Sequence, residues 1–164
     1  MAVLGAEAFE VRGGELQGVA LWAPVSDVFS RFPEGDALAG WRDSDRLEVV
    51  NGRTGQVLTH PFAFYEEAAA RRNALDVKRA TEALECPVLV VHGEVDRAVE
   101  WMEGRRISRW AKRGTWALIE GADHVFGMRH PWEDARNWPT HLSQAWAETE
   151  AWLSSLKSGR LQEC

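Results

Sequence analysis

The chain has 164 residues, 45% of them apolar and 27% charged. That is enough for one domain with its own core, and it excludes a disordered or low-complexity chain. The formal net charge is −6 and no basic cluster dominates, which argues against nucleic acid as a partner.

The first residues, Met1-Ala2-Val3-Leu4-Gly5, have no basic flank and no long apolar core, so they do not read as a signal peptide. No window approaches the roughly 18 apolar residues of a membrane span. The two cysteines, Cys86 and Cys164, do not make a disulfide framework. The expectation is a reduced, cytoplasmic chain with no membrane contact. Nine tryptophans are an unusual load, and their simplest use is to fill the core and helix faces.

In chain order, residues 18–23 form a nearly unbroken apolar run that Pro24 and Asp27 punctuate. A run without polar alternation suits a strand buried on both faces of a parallel sheet. Residues 35–84 then interrupt the pattern, as an inserted excursion or lid. Within them Asn51-Gly52, set between apolar stretches, predicts a small hairpin. Residues 62–72 and 76–84 have helical patterns.

Residues 87–91 and 115–119 are two further apolar runs of the strand type. Between them, residues 100–113 predict a helix with Glu100 and Glu103 in its first turn and Lys112 and Arg113 in its last. That charge order complements the helix dipole, with Gly114 as its C-terminal stop. Its buried stripe would be Ile107, Trp110 and Ala111. Residues 140–156 predict an amphipathic helix burying Leu142, Ala145, Trp146, Trp152, Leu153 and Leu156, with Thr140 as its cap. Strand alternating with helix predicts an α/β fold around a parallel sheet. The tail at 158–164 is expected to be disordered.

Two polar loops follow successive apolar runs. Asp96 lies just beyond 87–91 and His124 just beyond 115–119. Ligands and catalytic groups in open α/β sheets gather at the carboxyl ends of the strands. A carboxylate there can hold an imidazole in one tautomer, and the imidazole can then act as a general base. Either residue alone is most simply a turn Asp or a structural His. Together, in the order Asp then His, they fit the last two members of a Ser-Asp-His triad. His92 ends its strand and reads as packing or hydrogen-bonding within the loop. A metal site from His124, His130 and Asp123 or Glu133 has no convincing ligand spacing. No cofactor or metal is expected.

The segment Cys86-Pro87-Val88-Leu89-Val90-Val91-His92-Gly93-Glu94-Val95-Asp96 resembles the acid-bearing strand and loop of α/β-hydrolases, in their dienelactone-hydrolase-like and prolyl-oligopeptidase-like branches. Gly121-Ala122-Asp123-His124-Val125-Phe126-Gly127 resembles their histidine loop. Leu21-Trp22-Ala23-Pro24-Val25-Ser26-Asp27 resembles the strand and loop after the nucleophile helix, and Asn51-Gly52-Arg53-Thr54-Gly55-Gln56 a segment of bacterial hydrolases of this type.

The resemblance implies a partial α/β-hydrolase fold, its C-terminal parallel strands with flanking helices and an inserted hairpin and helix excursion. It implies serine-hydrolase chemistry on a small ester, thioester or amide, with Asp96 and His124 as the catalytic pair. The family's Gly-x-Ser-x-Gly elbow is absent from the sequence. Ser26 is the one conceivable substitute, and a Cys or Asp nucleophile in the missing position stays open.

The resemblance therefore implies a chain that starts after the elbow and is inactive by itself. The alternative is a non-catalytic fragment or split-protein module that pairs with another chain, as a homodimer or with a missing N-terminal half. Trp41, Phe62, Phe64 and Trp132 are candidate lining residues, equally well explained as core.

Overall fold

A computed structural model describes residues 2–52, 54–129, 131 and 137–160. The chain forms two compact units, one of residues 1–26 and 77–164 and the other of residues 27–76. His130, Trp132, Glu133 and residues 161–164, including Cys164, lie outside the described residues.

The first unit is built on three parallel strands. These are β1 (Val19–Trp22), β4 (Val88–Gly93) and β5 (Gly114–Ile119), in the order β1-β4-β5. Val19 pairs with Val88, and Gly93 pairs with Ile119 at the far end. Apolar β-branched residues at 88, 90 and 91 make β4 a strand that suits burial on both faces. All six of its residues are buried. Among the described residues β1 and β5 each have one neighbour, so their burial is partial rather than two-faced: Ala20 and Leu118 are exposed.

Alternation along the strands divides the core. Leu89, Val91, Ala117 and Ile119 pack with Leu142, Ala145 and Trp152 of α6 (Thr140–Arg160) on one face. Val90, His92 and Trp116 turn to the other face, against α5 (Trp101–Trp110), where Ile107 is fully buried. Helices α1 (Ala2–Val11) and α4 (Val77–Ala83) pack on each other, and α4 packs on α5. Thus 77–83, grouped by the sequence with the excursion, belongs to the sheet-bearing unit. No described helix is long and apolar enough to cross a membrane.

Two helical expectations need correction. α5 stops at Trp110, because Ala111 is already extended at φ −66° and ψ 133°. Lys112 and Arg113 therefore lie beyond the helix, and Arg109 supplies the basic residue of its last turn. Gly114 opens β5 instead of capping the helix, and a side chain there would fall onto the Ser108 carbonyl. On α6, Leu142, Ala145 and Trp152 are buried as expected, but Trp146 and Leu153 are 43% and 44% exposed. The helix uses a narrower face than its apolar residues suggest. It also continues through Arg160, past the point where fraying was expected to begin.

The second unit holds α2 (Gly35–Ser44), the hairpin β2 (Leu47–Val50) with β3 (Val57–His60), and α3 (Ala63–Ala70). The hairpin exists, but its loop is longer than a two-residue Asn-Gly turn. Asn51 N–H donates to the Gln56 carbonyl, and Gly55 supplies the left-handed residue at φ 70°. Trp41 is 2% exposed and packs with Phe32, Phe62 and Tyr65, while Phe64 is about half exposed. Trp41 and Phe62 are thus part of this unit's aromatic core.

β1 is an edge strand among the described residues. Val19 N–H donates to the Pro87 carbonyl just before β4 and Ala23 N–H to that of Val91, so alternation points the N–H groups of Ala20 and Trp22 away from β4. An open edge is a template for another strand. The protein is expected to self-associate in solution, and Ala20→Pro, which removes an outward N–H without breaking the β1–β4 ladder, to reduce this. Light scattering on both proteins tests it; a monodisperse wild-type monomer would count against an exposed pairing edge.

Candidate active site

Asp96 and His124 stand on two loops at the carboxyl ends of adjacent parallel strands. The ladder does not stop where the strands do. Glu94 N–H donates to the Ile119 carbonyl and Val95 N–H to the Ala122 carbonyl, both at 3.0 Å. In return, Gly121 N–H donates to the Glu94 carboxylate at 3.0 Å.

Gly93 makes this closeness possible. A Cβ there would lie 2.6 Å from the Asp123 carbonyl oxygen and closer still to that of Ala122. The histidine loop is folded by its own Asp: Asp123 Oδ1 accepts from Val125 N–H at 3.2 Å and Gly127 N–H at 2.8 Å. Phe126 is held at φ 56°, a conformation rare for a non-glycine residue, and its ring is buried edge-on against Trp22 at 5.3 Å.

These constraints bring together the two residues singled out in the sequence, 28 positions apart. His124 Nδ1 lies 2.8 Å from Asp96 Oδ2. The Asp96 side chain is fully buried, while 42% of the His124 side chain is exposed. Asp96 Oδ1 accepts Ala98 N–H at 2.8 Å and Val99 N–H at 2.9 Å. Burial pushes the Asp96 carboxyl up, but the Val99 N–H, His124 and the Ala98 N–H outweigh it and hold it below its ordinary value of 3.8. An ionised Asp96 makes Nδ1 the protonated nitrogen of neutral His124 and leaves Nε2 with its lone pair. That imidazole can accept a proton and return it.

The remaining candidates do not join this pair. Ser26 follows β1 at the same sheet edge but is 5% exposed, and its backbone N–H donates to Glu103 at 3.0 Å. Cys86 precedes β4, at the opposite edge of the sheet; burial and then Glu10 push its thiol up to about 11, so it is protonated at neutral pH. An open cleft of about 820 Å³ lined by Glu10, Cys86, Arg113 and Leu156 is also at that opposite end. Of the metal candidates, His130 and Glu133 lie outside the described residues, and no group of three possible ligands occurs among the described residues.

Sequence reasoning passed over Gly93, and took His92 as packing or hydrogen-bonding within its loop. His92 is fully buried, and its Nε2 lies 3.1 Å from Asp96 Oδ2 and 3.0 Å from the Val99 carbonyl. The available signal was a polar ring ending an otherwise apolar strand, which cannot be buried without a partner.

No family model and no curated protein matches the chain. Solved structures do. Est1E from Butyrivibrio proteoclasticus is 15% identical with a TM-score of 0.63, over 95% of this chain and 58% of that one. A monoacylglycerol lipase of Paleococcus ferrophilus is 18% identical with a TM-score of 0.56, over 94% and 65%. A thermophilic esterase from Thermogutta terrifontis is 18% identical with a TM-score of 0.50, over 94% and 62%. The likeness shows the fold: an α/β-hydrolase fold, in part. The chain spans less than two thirds of the length of each of these structures.

Two outcomes follow from the geometry. Gly93→Ala is expected to force the loops apart at a cost of about 1–3 kcal/mol. Gly5→Ala on α1, where a Cβ meets nothing within 4 Å, is expected to stabilise by roughly 0.5–1 kcal/mol. Thermal melts compare them, and equal effects would contradict the close approach at Gly93.

Because the folded Asp96 carboxyl is depressed, its stabilisation is complete above 3.8 and is lost as pH falls through the folded value. Urea midpoints of wild type and Asp96→Asn should therefore converge as pH falls below about 3.8. A gap that widens in acid would contradict the depressed value.

Proposed function

We propose that this chain supplies the orienting acid and the general base of an α/β-hydrolase that cleaves a small ester, thioester or amide by acyl transfer. The observation that carries the reading is the 2.8 Å contact between His124 Nδ1 and Asp96 Oδ2 across two successive strand-end loops. The esterases and the lipase among the structural neighbours support an ester as the substrate class.

In this mechanism His124 Nε2 takes the proton of a nucleophilic hydroxyl as it attacks the acyl carbon and returns it to the leaving alcohol, thiol or amine; it then takes a proton from a water that attacks the acyl-enzyme, and returns it to the hydroxyl as the acid leaves. Asp96 stays ionised, holds the Nδ1 proton and stabilises the imidazolium. The serine nucleophile and the oxyanion donors come from outside these 164 residues, since the sequence contains no Gly-x-Ser-x-Gly turn. By itself the chain is inactive: a base without an activated nucleophile and a preorganised oxyanion site gives little catalysis.

A second reading draws on the open edge of β1: a non-catalytic module that takes a strand from another chain. The coding DNA upstream of Met1 separates the two. An in-frame Gly-x-Ser-x-Gly about 10 to 15 residues ahead is expected for the hydrolase; a stop codon there favours the module.

The longer protein is expected to hydrolyse p-nitrophenyl acetate, and His124→Ala to lower its kcat by roughly 10⁴-fold or more. Undiminished turnover in that variant would overturn the role of His124.

A further inference from the structure

We propose that His92 is a positioning residue for the base: a buried imidazole that donates from Nε2 to the same carboxylate oxygen, Asp96 Oδ2, that holds His124. The proposal rests on the reading of Asp96 and His124 as an acid and base pair, and it assigns the group that fixes the acid.

The tautomer follows from two independent observations. Nε2 faces two acceptors, Asp96 Oδ2 at 3.1 Å and the Val99 carbonyl at 3.0 Å, so it must carry the proton. Nδ1 is the one buried side-chain nitrogen or oxygen among the described residues that has no hydrogen-bond partner. An unmet lone pair is tolerable there, whereas an unmet N–H or a buried imidazolium would cost far more.

α5 enforces that arrangement. Gly104 lies against Nδ1 so closely that a Cβ would collide with it, and it would also lie 3.1 Å from the Trp116 and Val90 side chains. The glycine gives the ring its space and leaves no acceptor for a second proton.

The consequence reaches the reacting end of the site. An ionised carboxylate offers about four lone-pair directions. Ala98 and Val99 take two on Oδ1, and His92 and His124 take the two on Oδ2. With every direction filled, Asp96 has no free lobe with which to rotate. His124 is then aimed by a carboxylate that has one position. Without the His92 donor, Oδ2 keeps an unpaired lone pair in a dry site and the carboxylate turns toward other donors.

Imidazole ¹⁵N and N–H proton NMR on the 164-residue chain at neutral pH tests this. Wild type is expected to show His92 protonated on Nε2 alone and His124 with a low-field Nδ1 proton. His92→Met, which keeps bulk and removes the donor, is expected to lose that proton to exchange or shift it upfield. His92→Gln, whose amide nitrogen reaches the Nε2 position, is expected to retain it.

A wild-type His92 protonated on Nδ1, or on both nitrogens, overturns the proposal before any substitution is made. So does an unchanged His124 signal in folded His92→Met, or its loss in folded His92→Gln. If His92→Met does not fold, the wild-type spectrum and His92→Gln decide. Failure of the underlying acid and base pair looks different: the His124 Nδ1 signal would be absent in wild type or unmoved by Asp96→Asn.

Discussion

The carboxylate of Asp96 is the constraint around which this end of the molecule is organised. Removing an ionised carboxylate from water costs several kcal/mol even after the protein relaxes. Hydrogen bonds to a charged group contribute about 1.5–3 kcal/mol each, so a single bond does not offset that cost and four can. Four donors reach Asp96: two backbone N–H groups from its own loop, one imidazole from β4 and one from the loop after β5. The depressed carboxyl reflects three of these donors, the Val99 and Ala98 N–H groups and His124, which outweigh burial of the side chain.

Holding four donors on one group imposes demands on the surrounding backbone. The two loops must run against each other, which excludes a side chain at position 93 and uses Glu94 to bind the Gly121 N–H. The histidine loop must reverse within six residues, which places Phe126 in a strained conformation stabilised by its burial on Trp22. α5 must approach β4 closely over His92, which excludes a side chain at position 104. Glycines, strain and a buried imidazole, each odd by itself, serve one electrostatic requirement.

The rest of the sheet follows ordinary hydrophobic rules, and for that reason much of it is legible in the sequence. β4 reads as a buried strand because its apolar residues do not alternate, and all six of its positions are buried. Asp96 and His124 are legible because each follows an apolar run in a short polar loop. α5 misleads because Lys112 and Arg113 have the composition of a helix end, while the entry into β5 straightens the chain at Ala111. Trp146 and Leu153 mislead because helical periodicity places a residue on a face without saying whether another element covers that face. His92 reads as hydrogen-bonding within its loop, but its partner Asp96 is not legible, because that contact is set by a loop that doubles back, which periodicity does not describe.

The sequence by itself determined the strand and helix alternation, the apolar faces of the sheet and the order of Asp96 and His124 in the two strand-end loops, since these depend on local pattern and on which residue types tolerate burial. The tertiary structure decided that His124, 28 residues from Asp96, lies 2.8 Å from it, that His92 shares the same oxygen, and that Gly93 and Gly104 must lack side chains. Those are facts about how closely two loops and a helix approach a strand. Such distances are set by packing between segments remote in the chain, and no local pattern encodes them.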